Sequence, residues 1–237
     1  MAKQRSTAVR YLAEEARKRG FFGQAAPEPT WTAGRLDEID AQRLTWIRGR
    51  TRGTRRGEDV EVGERLPTRP IGPHTKSSFA TEWRAFTFTV WGATYHEGAD
   101  HIEEAGWLGE MSRDMQASED DPSLADGLYK GPSRGHTDDE HAQLIGMPRA
   151  YGYGASMGAW VLDTVASWAG DEALTRHSAV QYRFPPFEGD LTLIDGEVTG
   201  VRHDPLLGAH LVTIEVVMTN QDGAVLAKGP VEVQLPS

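Results

Sequence analysis

Residues 136–148 hold a group of side chains that could do chemistry in this chain of 237 residues. His136, Asp138 and His141 lie close together, and imidazole and carboxylate groups can bind a metal ion or transfer protons. A metal site would pair His141 with Asp138 and needs a third protein ligand, and none follows at a patterned spacing. We therefore expect no metal, and proton transfer is the chemistry that remains.

Composition and spacing exclude several other chemistries. The chain has no cysteine, which rules out a disulfide framework, a thiolate nucleophile and a cysteine zinc site. No Gly-x-Ser-x-Gly sequence occurs, so a serine hydrolase of the α/β type is disfavoured. The run Gly152-Tyr153-Gly154 lacks the strand and helix context of a nucleotide-binding glycine loop.

The element that would position these residues is a helix predicted over Gly154–Gly170. Asp163 is its only charged residue, and small or bulky apolar residues occupy all of its faces. A helix that is apolar all round is typical of a buried helix. We therefore expect Trp160 and Trp168 in the core.

Strands are predicted both before and after this helix in the sequence. An early strand spans Glu58–Pro67, and Thr75–Gly92 has helical spacing with a composition that would also suit a strand. Four later strands are predicted over Ser178–Phe187, Leu191–Val201, His210–Thr219 and Ala224–Leu235. This order predicts an α+β hotdog fold, a curved antiparallel sheet wrapped around a long buried helix; a generic α+β sandwich is the alternative.

The two predicted regions differ in charge. Residues 1–57 form an N-terminal helical arm, with helices over Ser6–Gly20 and Leu36–Ile47, and carry 13 Lys and Arg against 6 Asp and Glu. Residues 58–237 form the hotdog domain and carry 12 against 29, with an acidic insertion at 97–126. An acidic main domain argues against nucleic acid as a partner. The basic run at 48–56 could contact phosphates, but such runs are more typical of a solvated linker or of packing on acidic neighbours.

The stretch from His136 to Pro148 resembles the signature of the MaoC-like acyl dehydratases and (R)-specific enoyl-CoA hydratases. That family has Asp-x-Asn-Pro-x-His-x-Asp, then an Ala, a Gly-x-Pro turn and a His-Gly that opens the central helix. Tyr153-Gly154 stands at the His-Gly here, and the resemblance covers about residues 58–237. The matching positions are His136, Asp138, Ala142, Gly146 and Pro148.

The resemblance implies reversible addition of water to a 2-enoyl thioester, with coenzyme A as part of the substrate and no separate cofactor. It implies catalytic roles for His136, Asp138 and Tyr153. Backbone donors to the thioester oxygen are expected at Gly152 and Gly154, where a helix amino end favours developing negative charge. Substrate contacts are expected from Tyr151, Arg134 and Arg149.

One departure from the family concerns the acid/base pair. The family's catalytic Asp corresponds to Gly131, so of that pair only the histidine is present. The second group could come from Asp126, Asp138 or Asp139, or from the phenol of Tyr151 or Tyr153, although spacing alone selects none of them. Structural alternatives also apply: a surface histidine for His136, a helix cap for Asp138, and a core aromatic for Tyr153, as for Tyr151.

Two other functions are therefore considered beside the hydratase. A catalytically degenerate hotdog subunit would bind an acyl thioester or complete a partner's site. A hotdog thioesterase would use a carboxylate on the central helix, where Asp163 is the one candidate and is expected to lie too deep.

The resemblance also implies a homodimer or a hetero-oligomer with another hotdog subunit. No segment reaches the roughly 20 apolar residues of a membrane span, and the polar start is not typical of a signal peptide. With no cysteine in the chain, a reducing cytoplasm is the expected location.

Overall fold

The computed structural model describes residues 18–19, 27–82, 134–144 and 146–237. The chain divides into two compact units, residues 1–27 with 90–150 and residues 28–89 with 151–237. The predicted insertion 97–126, most of the predicted helix Ser6–Gly20 and the second half of Thr75–Gly92 lie outside the described residues.

Helices and strands occur in the order expected for a hotdog. In chain order they are α1 (Ala33–Arg48), β1 (Arg69–Ile71), α2 (76–82), α3 (Asp139–Leu144), α4 (Gly154–Ala169), β2 (Leu174–Ser178), β3 (Gln181–Tyr182), β4 (Thr192–Asp204), β5 (Ala209–Asn220) and β6 (Val225–Pro236). Short 3₁₀ turns lie at Gly57–Asp59 and Arg134–His136.

The six strands of the described residues form one antiparallel sheet in the order β1-β4-β5-β6-β2, with β3 also pairing with β6. Strands β4, β5 and β6 alternate between buried and less buried residues, so one face of the sheet points into the core. The register shifts once within each of the pairs β4–β5, β5–β6 and β2–β6. Such bulges increase local twist and bend a sheet around what it covers.

Helix α4 packs on the inner face of this sheet and confirms the prediction of a central helix. The core joins Met157, Val161 and Val165 of the helix to residues of all three long strands, such as Ile214 and Val231. Trp160 and Trp168 are buried as predicted. A curled antiparallel sheet around this helix is the predicted hotdog fold.

Burial of α4 is one-sided, contrary to the prediction from its all-round apolar composition. Leu162 is 40% exposed and the neighbouring Asp163 is exposed too, whereas the opposite side of the helix lies in the core. A sheet bent around a helix covers only the face that points into its curve. The open face includes Ala155, Ala159 and Ala166.

Two of the predicted strands are wrong in part. Residues 58–67 form a 3₁₀ turn and a bend rather than a strand, with a single bridge from Arg65 to Glu197. Val60 is buried while Val62 is 64% exposed, so the two valines do not share the buried face that a strand would give them. The predicted strand Ser178–Phe187 is only partly formed: it contains the last residue of β2 and the two residues of β3. Pro185 and Pro186, which have no N–H to offer a sheet, follow β3.

The second half of the arm packs within the same unit as the sheet. Helix α1 confirms the prediction over Leu36–Ile47, and its Trp46 is held between the guanidinium groups of Arg50 and Arg69. In the basic run, Arg55 pairs with Glu64 and lies over Trp168. This arginine therefore packs on an acidic neighbour, which was one of the two expected readings of the run.

No helix within the described ranges is both long enough and apolar enough to cross a membrane.

Candidate active site

The amino end of α4 leaves backbone donors open. Tyr153 occupies the N-cap position in an extended conformation and makes no side-chain cap hydrogen bond. The first intrahelical bond of this turn runs from the Met157 N–H to the Tyr153 carbonyl, at 3.0 Å. The N–H groups of residues 154–156 therefore have no acceptor inside the helix. Gly154 is exposed, and a Cβ placed there would meet no atom within 4 Å.

The segment before the helix is fixed to the loop at 186–187. The Gly152 N–H donates to the Pro186 carbonyl at 2.8 Å, and Tyr151 bridges to Phe187. A Cβ on Gly152 would lie 2.9 Å from the Pro186 side chain, so glycine lets the two segments approach closely. Because its N–H is already used, Gly152 is not available as the second donor to a thioester oxygen, and Gly154 remains.

Helix α2 brings a carboxylate to the first turn of α4. Burial raises the pKa of the Glu82 carboxyl above its ordinary value, and the nearby Ser156 hydroxyl lowers it by a smaller amount. Its Oε2 atom is buried and has no hydrogen-bond partner among the described residues. The sequence prediction missed Glu82, although it follows the fully buried Phe79 by three residues and so shares a helix face with it.

A buried histidine, His74, packs against Phe79 of α2. His74 is stacked between the rings of Phe79 and Trp160, with centroid distances of 5.3 and 5.2 Å. Its Nε2 lies 2.8 Å from the Thr192 hydroxyl. Burial lowers the pKa of His74 to about 4, so the ring is neutral at pH 7. No sequence pattern pointed to His74, since its partners come from distant segments.

The predicted motif residues lie in the other compact unit. His136 is half-buried at the end of a 3₁₀ turn that begins at Arg134. Asp138 Oδ1 accepts a hydrogen bond from the Glu140 N–H at 2.9 Å, which caps α3 as its structural alternative predicted. Asp139 Oδ1 accepts from the Ala150 N–H at 2.8 Å and joins the two ends of the segment.

The structure thus gathers the predicted residues into two groups. Tyr151, Gly152, Tyr153 and Gly154 adjoin the start of α4, and both tyrosines are half-buried. His136, Asp138 and the half-buried Arg149 belong to the motif segment. The catalytic and substrate-binding roles of these side chains stay predictions.

Asp163, the carboxylate considered for a thioesterase, lies at the surface. Its side chain is 50% exposed and pairs with Arg69 Nη1 at 2.6 Å, which corrects the prediction that it lies too deep. At about 1.5 Å of rise per residue, nine positions place it roughly 13 Å along the helix from Gly154. It is therefore remote from the open helix end.

Within the described part of the chain, no group of His, Asp and Glu side chains is arranged to hold a metal ion.

Comparisons with known proteins find likenesses in structure alone. No protein-family model matches the chain, and no curated protein matches it. The ChsH1–ChsH2 complex from Mycobacterium tuberculosis has a TM-score of 0.48 at 20% identity, over 74% of this chain and 98% of the other. The (R)-hydratase from A. caviae involved in PHA biosynthesis has a TM-score of 0.48 at 18% identity, over 76% and 99%. A MaoC-like dehydratase from Rhodospirillum rubrum has a TM-score of 0.45 at 16% identity, over 75% and 94%. Likenesses at this level carry no argument about activity.

Proposed function

We propose that this protein is a hydratase or dehydratase that interconverts a 2-enoyl thioester, as an acyl-CoA, and a 3-hydroxyacyl thioester. The observation that carries the proposal is the uncapped amino end of α4, with an exposed glycine at its first position. The resemblance of residues 136–148 to the MaoC-like signature supports the same reaction.

The reaction needs a site for negative charge. As the water oxygen bonds to C3, the π electrons of C2=C3 move toward C1 and charge develops on the thioester oxygen. Backbone N–H donors aimed at that oxygen stabilise the enolate more than the substrate, and removing one such donor lowers kcat by about 10² to 10³-fold. The Gly154 N–H takes this role, aided by the partial positive charge at the helix end.

Proton transfer and substrate binding fall to the motif segment. His136 acts on the attacking water and, in the reverse direction, on the leaving hydroxyl. Arg134 and Arg149 contact the phosphates of coenzyme A. Asp138 holds α3 through its cap, and Tyr151 and Tyr153 line the acyl chain beside the helix end.

The sheet edge supports assembly with a second hotdog subunit. Strand β2 ends the described sheet, and all five of its residues are exposed, including Leu174 at 52%. An exposed edge strand is a template for pairing with another chain. We therefore propose a homodimer or a pair with another hotdog subunit, and sedimentation as a monomer at micromolar concentration would contradict it.

The test is turnover of a panel of 2-enoyl-CoA esters, followed as loss of absorbance of the conjugated thioester. Gly154→Pro removes the proposed donor but suits the first helical position, and the extended Tyr153 accepts a following proline. Gly154→Ala keeps the N–H and is the matched control, since its Cβ has open space.

We expect Gly154→Pro to lower kcat at least 100-fold, Gly154→Ala to stay within about threefold, and His136→Ala to lose turnover. Equal activity in the two Gly154 variants would contradict the role of the helix end. Tight binding of the ester without turnover would point to a degenerate subunit, and release of free coenzyme A to a thioesterase.

A further inference from the structure

Glu82 is an ionisable group that the fold leaves incompletely satisfied. Its Oε2 atom is out of contact with solvent and has no hydrogen-bond partner among the described residues. A buried polar atom without a partner costs free energy, and a carboxylate oxygen costs more than a neutral one. Such an exception in a native fold calls for a reason, and proton transfer to a ligand is one.

The position of Glu82 relates it to the proposed site. Its other contact is the side chain of Ser156, two residues after Gly154 in the same first turn of α4. A thioester whose oxygen accepts from the Gly154 N–H presents C1 at this turn, and C2 is bonded directly to C1. The carboxylate next to that turn is therefore well placed to reach C2.

The surroundings leave Glu82 able to titrate. Within the described part of the chain, burial and the Ser156 hydroxyl are the two influences on its pKa: burial raises it and the hydroxyl lowers it. His74, which stacks on Phe79 of the same helix, is neutral at pH 7 and adds no charge there. A carboxyl group whose pKa is raised by burial accepts a proton more readily than an exposed carboxylate and can return it.

We infer that Glu82 is the catalytic carboxylate that transfers the C2 proton, filling the acid/base role for which the MaoC-like motif has only Gly131 to offer. The inference rests on the proposed hydratase function. In dehydration, Glu82 takes the C2 proton, the electron pair moves through an enolate on the thioester oxygen, and the C3–O bond breaks as the departing hydroxyl takes a proton. Water leaves, and Glu82 then gives the C2 proton to solvent, which restores the carboxylate. Hydration reverses each step.

The test compares Glu82→Gln, which keeps the shape and an acceptor for Ser156, with Glu61→Gln, which changes an exposed glutamate. Dehydration of a 3-hydroxyacyl-CoA is measured across pH. We expect Glu82→Gln to lower kcat at least 100-fold with little change in KM. We expect Glu61→Gln to match the unchanged protein. Thermal melting checks folding, and the melting temperature of Glu82→Gln should not fall, because a buried amide is cheaper than a buried carboxylate.

Two pH profiles separate proton transfer from a structural role. Dehydration needs Glu82 ionised, so its rate rises with pH through the pKa of Glu82. Ser156→Ala removes the hydroxyl that lowers this pKa, and the rise should therefore move to higher pH. Glu82→Asp should keep a rise with pH, and Glu82→Gln should lose it.

The outcomes distinguish a failure of the role of Glu82 from a failure of the proposed hydratase function. A protein that turns over the thioester while Glu82→Gln stays within about threefold keeps the hydratase function and overturns the role of Glu82. An unchanged profile in Ser156→Ala would also overturn it. Absence of turnover in the unchanged protein, across the panel of esters, overturns the hydratase function and the inference together.

Discussion

The two ends of helix α4 are treated in opposite ways by the rest of the protein. At the carboxyl end, the Thr51 N–H donates to the Ser167 carbonyl at 2.8 Å, and the Thr51 hydroxyl donates to the Trp168 carbonyl at 2.6 Å. Gly170 closes the helix by donating to the Ala166 carbonyl. At the amino end, no side chain caps the helix from Tyr153, and Gly154 is exposed.

The carboxyl end of α4 contributes hydrogen bonds to stability, whereas the amino end leaves its N–H donors without an acceptor inside the helix. At the closed end, Thr51 from the predicted arm satisfies two of the carbonyl groups that a helix leaves unpaired, those of Ser167 and Trp168. A cap at the open end would contribute about 1 kcal/mol, which this fold forgoes. What is left is a set of aligned N–H donors that a ligand oxygen can accept from. The arm therefore stabilises one end of the helix, while the other end stays open, as the proposed function requires.

The largest expected effect comes from replacing the glycine at each end of α4 by alanine. Gly170 has φ +88°, and a Cβ there would lie 2.6 Å from the Gly53 carbonyl oxygen. We expect Gly170→Ala to lower the free energy of unfolding by about 4 kcal/mol, from backbone strain and a clash together. Gly154→Ala should change it by less than about 1 kcal/mol, with the sign of a gain. Urea denaturation of both variants measures the contrast, and similar losses would contradict it.

The second prediction concerns the pH dependence of stability and His74, which stacks on Trp160 in the middle of α4. Its folded pKa of about 4 lies below the ordinary 6.5, so the unfolded chain binds the proton more readily. Stability from this group is complete above pH 6.5 and is lost as pH falls toward 4, by about 1.4 kcal/mol per pH unit and about 3 kcal/mol in total. We expect His74→Gln to flatten this part of the pH dependence, measured by denaturation at several pH values.

The exposed His177 provides the control for that measurement. His177→Gln should leave the slope between pH 6.5 and 4 unchanged. A slope that persists in His74→Gln would assign the pH dependence to other groups.

The smallest of these effects tests the cap at the closed end. Thr51→Val removes the hydroxyl that donates to the Trp168 carbonyl and keeps the backbone donor to Ser167. We expect a loss of about 1 kcal/mol in the free energy of unfolding. Thr45→Val removes an exposed bond to the Ala41 carbonyl and should stay within about 0.5 kcal/mol. Equal losses would show that the closed end contributes nothing specific.

Much of the fold follows from local sequence patterns. Alternation predicts β4, β5 and β6 to within a few residues, because each of these strands has one face in the core. The apolar run predicts α4 to within one residue, but not that one face of the helix stays open. Composition reports how apolar a segment is, whereas coverage depends on how far the sheet curves.

The site is harder to read because its parts are joined by tertiary contacts. The motif predicted Asp138, and its cap of α3 is a local feature that a sequence can specify. Glu82 meets Ser156 only after α2 has packed beside α4, across 74 positions of the chain. His74 likewise depends on Trp160 and Thr192. A charged residue on the buried face of a predicted helix is the one sequence signal that could have singled out Glu82.

The most direct test of the open helix end is the infrared carbonyl stretch of a bound saturated acyl-CoA, labelled with ¹³C at C1. This measurement needs binding and no turnover, so it applies to an active enzyme and to a degenerate subunit alike. If the Gly154 N–H donates to the thioester oxygen, the stretch should shift to lower frequency on binding, and Gly154→Pro should lose the shift while Gly154→Ala keeps it. A bound ester whose carbonyl frequency matches that in water, or a shift that survives in Gly154→Pro, would contradict the assignment of this helix end as the thioester site.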